Sequence, residues 1–323
     1  MNIEMIRAAA ARLAGHVRET PLLNAPLLDE IAGRQVWIKP ECLQHTGSFK
    51  FRGAYSALSA LAEEVRAKGV IAYSSGNHAQ GVALAARMHG APAVIVMPGD
   101  SPQLKIANTR AYGAEVVLYD RNRESREDIG AELARTRGLT LIKPYDEPQV
   151  IAGQGTVGLE IAAQAARQGL ETADVLVCCG GGGLTSGIAL ALEARAPGLR
   201  TRPAEPEGFD DVRRALETGR IQPNPTSLGS VCDAILTPAP GKITFPIMQR
   251  LCGPGVVVTD AECLHAMALA FLRLKIVIEP GGAAALAGAL FHGDQLQGDA
   301  VIAVATGGNV DPQMFQDALT AFL

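Results

Sequence analysis

The chain has 323 residues, 48% of them hydrophobic and 19% charged, which gives apolar surface for one large core or two smaller ones and makes a globular enzyme the default class. Its formal net charge is -4 and its basic residues are scattered, which argues against a polyanion groove or an anionic membrane surface and leaves nucleic acid out of the expected partners. The six cysteines contain no CxxC pair and read as reduced, mostly buried thiols.

The N-terminus places Ile3, Ile6, Ala10 and Leu13 at helical spacing and lacks the apolar run and cleavage site of a signal peptide, so the cytoplasm is the expected compartment. Short β-rich runs then alternate with Ala-rich amphipathic stretches. Residues 36–39 predict a strand, 49–68 a helix, 70–74 a strand, 78–89 a helix and 93–97 a strand. A helix over 101–112, a strand over 115–119, a helix over 125–137 and a strand over 140–143 follow. Gly153 and Gly155 are read as a turn, after which come a helix over 156–168, a strand over 175–179, a helix over 184–195 and a strand over 301–305. Such alternation predicts α/β architecture: two open parallel-sheet domains with helices on both faces. The expected division is a large domain from residues 1–50 and 150–323, with a small domain of residues 51–149 inserted in it. The most apolar stretch, residues 277–291, is too short for a bilayer and is interrupted by Glu279, Pro280 and glycines, so no membrane association is expected. An appended regulatory module is not expected either.

Three segments carry chemistry. In His45-Thr46-Gly47-Ser48-Phe49-Lys50, one lysine sits at a loop-to-helix junction among small and apolar residues. Burial there favours the neutral amine, the form that attacks an aldehyde. A surface charge is the bland alternative. Cys179-Gly180-Gly181-Gly182-Gly183-Leu184 follows an apolar strand and opens a helix, so its backbone can approach an anion while the helix start presents free N–H groups. A tight turn needs fewer glycines, and a dinucleotide site would need a third glycine where Thr185 and Ser186 stand. Ser74-Ser75-Gly76-Asn77-His78 ends a strand and begins a helix, offering hydroxyls and amides to a carboxylate and a phenolic oxygen, or a plain N-cap.

In this order the three segments resemble the fold-type II pyridoxal-phosphate family, in the branch of threonine/serine dehydratases and serine racemase (a tryptophan synthase beta-like fold). Ile151-Ala152-Gly153-Gln154-Gly155-Thr156, Ile278-Glu279-Pro280-Gly281-Gly282 and Thr306-Gly307-Gly308-Asn309 extend the likeness over nearly the whole chain. The resemblance implies that Lys50 carries pyridoxal 5'-phosphate and shuttles a proton, that Phe49 stacks on the ring and that Asn77 holds the phenolic oxygen. Gly180, Gly181, Gly182, Gly183 and the Leu184 amide would hold the phosphate, and Glu279 and Thr306 would face the ring. A hydroxyl at Thr306 does not keep the pyridine nitrogen protonated as a carboxylate would, which favours β-elimination over transamination. Ser74, Ser75 and His78 would line the substrate carboxylate site, Ser75 matching the opposite-face acid/base of the racemases.

The expected activity is ammonia-lyase (dehydratase) action on L-threonine or L-serine, giving a 2-oxo acid and ammonia. 3-Hydroxyaspartate dehydratase and serine racemase are the alternatives, and a non-catalytic phosphate-binding module is the rival of another class. Arg126 matches an arginine near the substrate in the racemase branch and could pair with a second carboxylate. Tyr145, in Lys143-Pro144-Tyr145-Asp146, resembles dehydratases and tilts the reading to elimination. Glu205, the Phe209 carbonyl and Asp211 match a Mg or Ca site of the racemase-like branch, with a solvated acidic loop as the alternative. Symmetry statistics and the family both make a homodimer the default.

Overall fold

The computed structural model describes residues 1–74, 76–101, 103–226 and 228–322. Its strands are β1 (Leu23–Asn24), β2 (Gln35–Pro40), β3 (Val70–Tyr73), β4 (Ala93–Pro98), β5 (Glu115–Tyr119), β6 (Thr140–Leu141), β7 (Ala173–Cys178), β8 (Leu199–Pro206), β9 (Val256–Val258) and β10 (Ala300–Ala305). They form a six-stranded sheet in the order β1-β2-β10-β7-β8-β9 and a four-stranded sheet in the order β5-β4-β3-β6. β1 pairs antiparallel with β2; the other pairings are parallel. Every residue of β4, β7 and β10 is buried, as expected of strands covered by helices on both faces. The two open parallel sheets agree with the sequence expectation.

The structure departs from the predicted elements in two instructive places. Gly153 and Gly155 make no turn, because one helix, Pro148–Arg167, runs straight through them. These glycines serve close helix packing instead: a Cβ at Gly155 would stand 2.9 Å from the Gly187 carbonyl oxygen, and one at Gly153 would overlap the Arg52 carbonyl. The helix predicted over 49–68 is two helices, Lys50–Ser59 and Glu63–Lys68, separated at Ala62, whose backbone is extended. Glu63 and Glu64 open the second one, where the helix dipole favours acids. The apolar stretch that falls short of a bilayer is the helix Pro280–Phe291, buried at every residue from 280 to 290 within the core of the larger sheet. Among the described residues no helix is long and apolar enough to cross a membrane.

A buried ion cluster anchors the helix Lys50–Ser59. Arg52 Nε donates to Glu41 Oε2 at 2.8 Å and Nη1 to Glu160 Oε1 at 2.6 Å, while Lys39 Nζ donates to Glu160 Oε2 at 2.6 Å. Lys39, Glu41 and Arg52 are wholly buried. Burial alone would raise the Glu41 carboxyl, but Arg52, Lys39 and a hydrogen bond from Thr20 together hold it below its ordinary value. Two cations and two anions therefore balance in the interior, and they tie the turn that follows Lys50 to β2 and to the helix Pro148–Arg167.

Candidate active site

A cavity of about 700 Å³ collects residues from both sheets, among them Phe49, Lys50, Ser74, Asn77, His78, Arg126, Tyr145, the glycines 180–183, Leu184, Glu279 and Thr306. Its size suits a cofactor together with a small substrate. Lys50 is the first residue of its helix, and its Nζ donates to the Pro144 carbonyl at 2.9 Å. Burial lowers its pKa to about 8, against an opposing pull from Glu279. About a tenth of this amine is therefore neutral and nucleophilic at pH 7, far more than of an ordinary lysine. The Phe49 ring lies beside it, with its centroid 5.1 Å from Nζ.

The four-glycine segment sits between β7 and the helix Gly183–Arg195, in the strand-to-helix context its sequence implies. Gly182 is the N-cap, with φ +86° and no side-chain cap, so the first amides of the helix stay free for an anion. The Tyr145 ring lies directly against Gly181, where any side chain would overlap it. Thr244 Oγ1 fixes the turn from behind by donating to the Gly181 carbonyl at 2.7 Å.

On the other wall, the helix Asn77–Met88 also begins without a side-chain cap, at Gly76, and Ser74 Oγ accepts from the Gly76 amide at 3.3 Å. Ser75, expected as a catalytic and substrate-binding residue, lies outside the described residues. His78 Nε2 donates to the Ile142 carbonyl at 2.8 Å. Burial first, and then the Lys50 charge, pull its pKa down to about 3, so it is a neutral imidazole with Nδ1 as acceptor. Asn77 Nδ2 donates to Glu279 Oε1 at 2.5 Å, and Asn309 Nδ2 donates to Asn77 Oδ1 at 2.7 Å. Burial raises Glu279 to about 7. Thr306 is buried at the end of β10, where its carbonyl accepts from the Phe49 amide at 3.2 Å.

Arg126 reaches the cavity from the first turn of the helix Arg126–Arg137. Its Nε donates to Glu127 Oε1 at 2.8 Å, and its guanidinium carbon lies 6.0 Å from the Tyr73 ring centroid. Its two terminal nitrogens have no hydrogen-bond partner among the described residues. Its exposure of 45% leaves it free to swing toward a bound anion. Lys105 and Asp233, which the sequence reading does not single out, line the same cavity and pair at 3.2 Å. Gln154 and Asn309 stand inside the motifs of the resemblance without a role there, since spacing does not tell where an amide points.

Glu205 in β8 and Asp211, the first residue of the helix Asp211–Thr218, lie close enough to interact, Phe209 stands between them in the chain, and none of the three lines the cavity itself. Glu205 is fully buried, and its two oxygens accept from the Val212 and Arg213 amides at 2.9 and 2.8 Å. Burial and the charge of Asp211 raise its pKa well above the ordinary range. Asp211 Oδ1 accepts from Asn224 at 2.6 Å, Oδ2 is buried without a partner among the described residues, and burial raises its pKa to about 7. Among the described residues no group of three or more His, Cys, Asp or Glu side chains could hold a metal; a site here would need the Phe209 carbonyl as well. The orphaned Asp211 oxygen and the two destabilised carboxylates fit a hard cation.

Comparisons with known proteins converge on one family. The family described as "Pyridoxal-phosphate dependent enzyme" matches residues 13–307. The chain is 45% identical to an L-threo-3-hydroxyaspartate ammonia-lyase from Pseudomonas sp, over 96% of both chains. It is 41% identical to one from Saccharomyces cerevisiae, over 95% of this chain and 93% of that one. The solved serine racemase of Dictyostelium discoideum is 36% identical with a TM-score of 0.89, covering 96% of this chain and 99% of the other. The buried amine, the glycine turn with its free amides and the adjoining aromatic ring suit an aldehyde that bears a phosphate. The chain belongs to the pyridoxal-phosphate-dependent enzymes of fold type II.

Proposed function

We propose that the protein is an ammonia-lyase acting on L-threo-3-hydroxyaspartate, releasing ammonia and leaving oxaloacetate as the 2-oxo acid. The expectation of threonine or serine gives way to its alternative: two similar relatives carry the hydroxyaspartate name. The observation that carries the reading is Arg126 in the cavity, with terminal nitrogens available for a second carboxylate. A guanidinium pairs bidentately with such a group, whereas the methyl of threonine or the hydrogen of serine would leave it nothing to bind.

Bound pyridoxal phosphate supplies an electron sink for the α-carbon. Lys50 carries it and moves the α-proton, Phe49 packs against its ring, and Asn77, held by Asn309 and Glu279, donates to its phenolic oxygen. Glu279 and Thr306 face the ring, and the free amides at residues 180–184 hold its phosphate. Ser74, Ser75 and the amides that begin the helix Asn77–Met88 bind the substrate α-carboxylate, with neutral His78 behind them. Tyr145 closes the cavity over the glycine turn and excludes water. A Mg or Ca ion held by Glu205, the Phe209 carbonyl and Asp211 belongs to the same proposal, supported by the orphaned Asp211 oxygen.

The test is a panel of L-threonine, L-serine and the diastereomers of 3-hydroxyaspartate, followed by 2-oxo acid release. The reading expects kcat/KM for L-threo-3-hydroxyaspartate to exceed the others by about 100-fold. Equal or greater turnover of threonine would overturn it.

A further inference from the structure

Gln154 stands within the helix Pro148–Arg167 and lines the cavity. It is 1% exposed, yet neither Oε1 nor Nε2 has a hydrogen-bond partner among the described residues. Buried amides are satisfied in nearly all native structures, so a fully orphaned one marks a place where a ligand or water belongs. The amide is wedged between two elements. A Cβ on Gly183 would stand 2.6 Å from Oε1, and one on Gly53 would stand 3.0 Å from Nε2. Gly183 is the last of the four glycines and the first residue of the helix, so one end of the Gln154 amide abuts the anion cradle and the other faces the helix that carries Lys50.

We propose that Gln154 completes the phosphate site, its Nε2 turning toward Gly183 to donate to the cofactor's phosphate. The oxygen and nitrogen of a side-chain amide have the same shape, so hydrogen-bond partners decide which end faces the turn. A phosphate dianion selects the nitrogen. Gly183 then has two duties: it leaves its backbone amide open at the helix start, and it leaves room for a side chain from the neighbouring helix. Gln154 is a binding residue for the phosphate and not for the aldehyde that Lys50 takes, and its role holds whichever amino acid is the substrate.

Titration of the apoprotein with pyridoxal phosphate, and separately with pyridoxal, tests this. Gln154→Met keeps the length and packing of the side chain but removes the donor. Its Kd for pyridoxal phosphate should rise about tenfold with the Kd for pyridoxal unchanged. Gln154→Glu aims a carboxylate at the dianion and should raise the first Kd by about 100-fold. Equal weakening toward both ligands, or none toward either, would assign Gln154 to packing and overturn the proposal. A Gln154→Glu protein that binds pyridoxal phosphate as well as Gln154→Met would show the oxygen facing the turn, which also overturns it. Should both variants fail to fold, a crystal structure of the wild-type holoenzyme decides. A Gln154 nitrogen within about 3.5 Å of a phosphate oxygen supports the assignment, and a more distant one overturns it.

Discussion

Asn77 and Glu279 meet through a 2.5 Å hydrogen bond from Nδ2 to Oε1, and Asn309 holds the other end of the same amide. Asn77 thus has its orientation fixed from both sides, with the oxygen engaged by Asn309 and one N–H by Glu279, leaving its second N–H for the cavity. The arrangement makes Glu279 a titrating group. Burial lifts its pKa from 4.5 to about 7, so the folded state prefers the protonated form. The stability associated with this group is fully present below the unfolded value near 4.5 and is lost as pH rises through about 7. Glu279→Gln does not titrate, so the apoprotein variant should gain on the wild type between pH 5 and pH 8, by about 2 kcal/mol. Urea midpoints at the two pH values measure this, and parallel curves would remove the buried carboxyl from the account.

Lys50 titrates with the opposite sign. Burial depresses its pKa from 10.5 to about 8, so the folded state prefers the neutral amine. Its stability contribution is fully present above the unfolded value and is lost as pH falls through about 8. The Lys50→Met apoprotein should therefore become progressively more stable than the wild type as pH is lowered from about 10 to about 7. In the wild type, the rate of cofactor uptake should climb through about pH 8 with the free amine, because only that form attacks the aldehyde. Lys50→Met should also fail to develop absorbance near ~410–430 nm on adding pyridoxal phosphate. A pH-independent uptake rate would contradict the lowered pKa.

The glycine turn is legible in the sequence because its signal is local, an apolar strand running into four glycines, whereas a lysine at a loop-to-helix junction is a weak signal by itself and Lys50 stands out only through the resemblance of the motifs around it. Gly153 and Gly155 mislead because a glycine marks a turn or a close contact equally well, and only the position of Gly187 and Arg52 in space decides between them. Lys105 and Asp233 are 128 residues apart in the chain, so no window of sequence reveals the pair. Lys39, Glu41 and Arg52 look like solvated charges in any linear reading. Their burial depends on mutual neutralisation across three elements.

That cluster yields a stability prediction. Arg52→Met would leave Glu41 and Glu160 facing each other's charge with only Lys39 to balance them. Removing one partner of a buried ion network costs about 3–5 kcal/mol, so the urea midpoint should fall sharply and the variant should be recovered in low yield. Arg52→Lys keeps the charge without the fork of donors and should recover only part of the loss. A loss below ~1 kcal/mol in Arg52→Met would mean that water reaches the cluster and screens it.

Arg126 is the residue through which the substrate reading stands or falls. It pairs with Glu127 through Nε alone, so a substrate carboxylate would bind the terminal nitrogens beside that pair. Arg126→Ala should lower kcat/KM for L-threo-3-hydroxyaspartate by about 100-fold, the loss expected for a charged hydrogen bond of about 2–3 kcal/mol. Turnover of L-serine, which has no second carboxylate, should change by less than about threefold. Equal losses on both substrates would place Arg126 in the general architecture of the cavity and not in substrate choice.

The carboxyls of Glu205 and Asp211 make the final test one of added metal. Both are buried and have their pKa values raised, and Asp211 Oδ2 lacks a partner among the described residues. Without a cation, ionising this pair opposes folding, so the metal-free protein should lose stability as pH rises through about 7, the value of Asp211. A divalent ion reverses that sign because it binds only the ionised pair in the folded chain. At about 100 times its Kd, Mg²⁺ or Ca²⁺ should add about 2.7 kcal/mol to the unfolding free energy, with the larger gain at the higher pH. Asp211→Asn should abolish the metal response while making the metal-free protein more stable above about pH 7, since a neutral amide replaces a buried charge. Calorimetry with and without chelator distinguishes this from an acidic loop that merely attracts cations, for which Asp211→Asn would leave the response to salt of either valence unchanged.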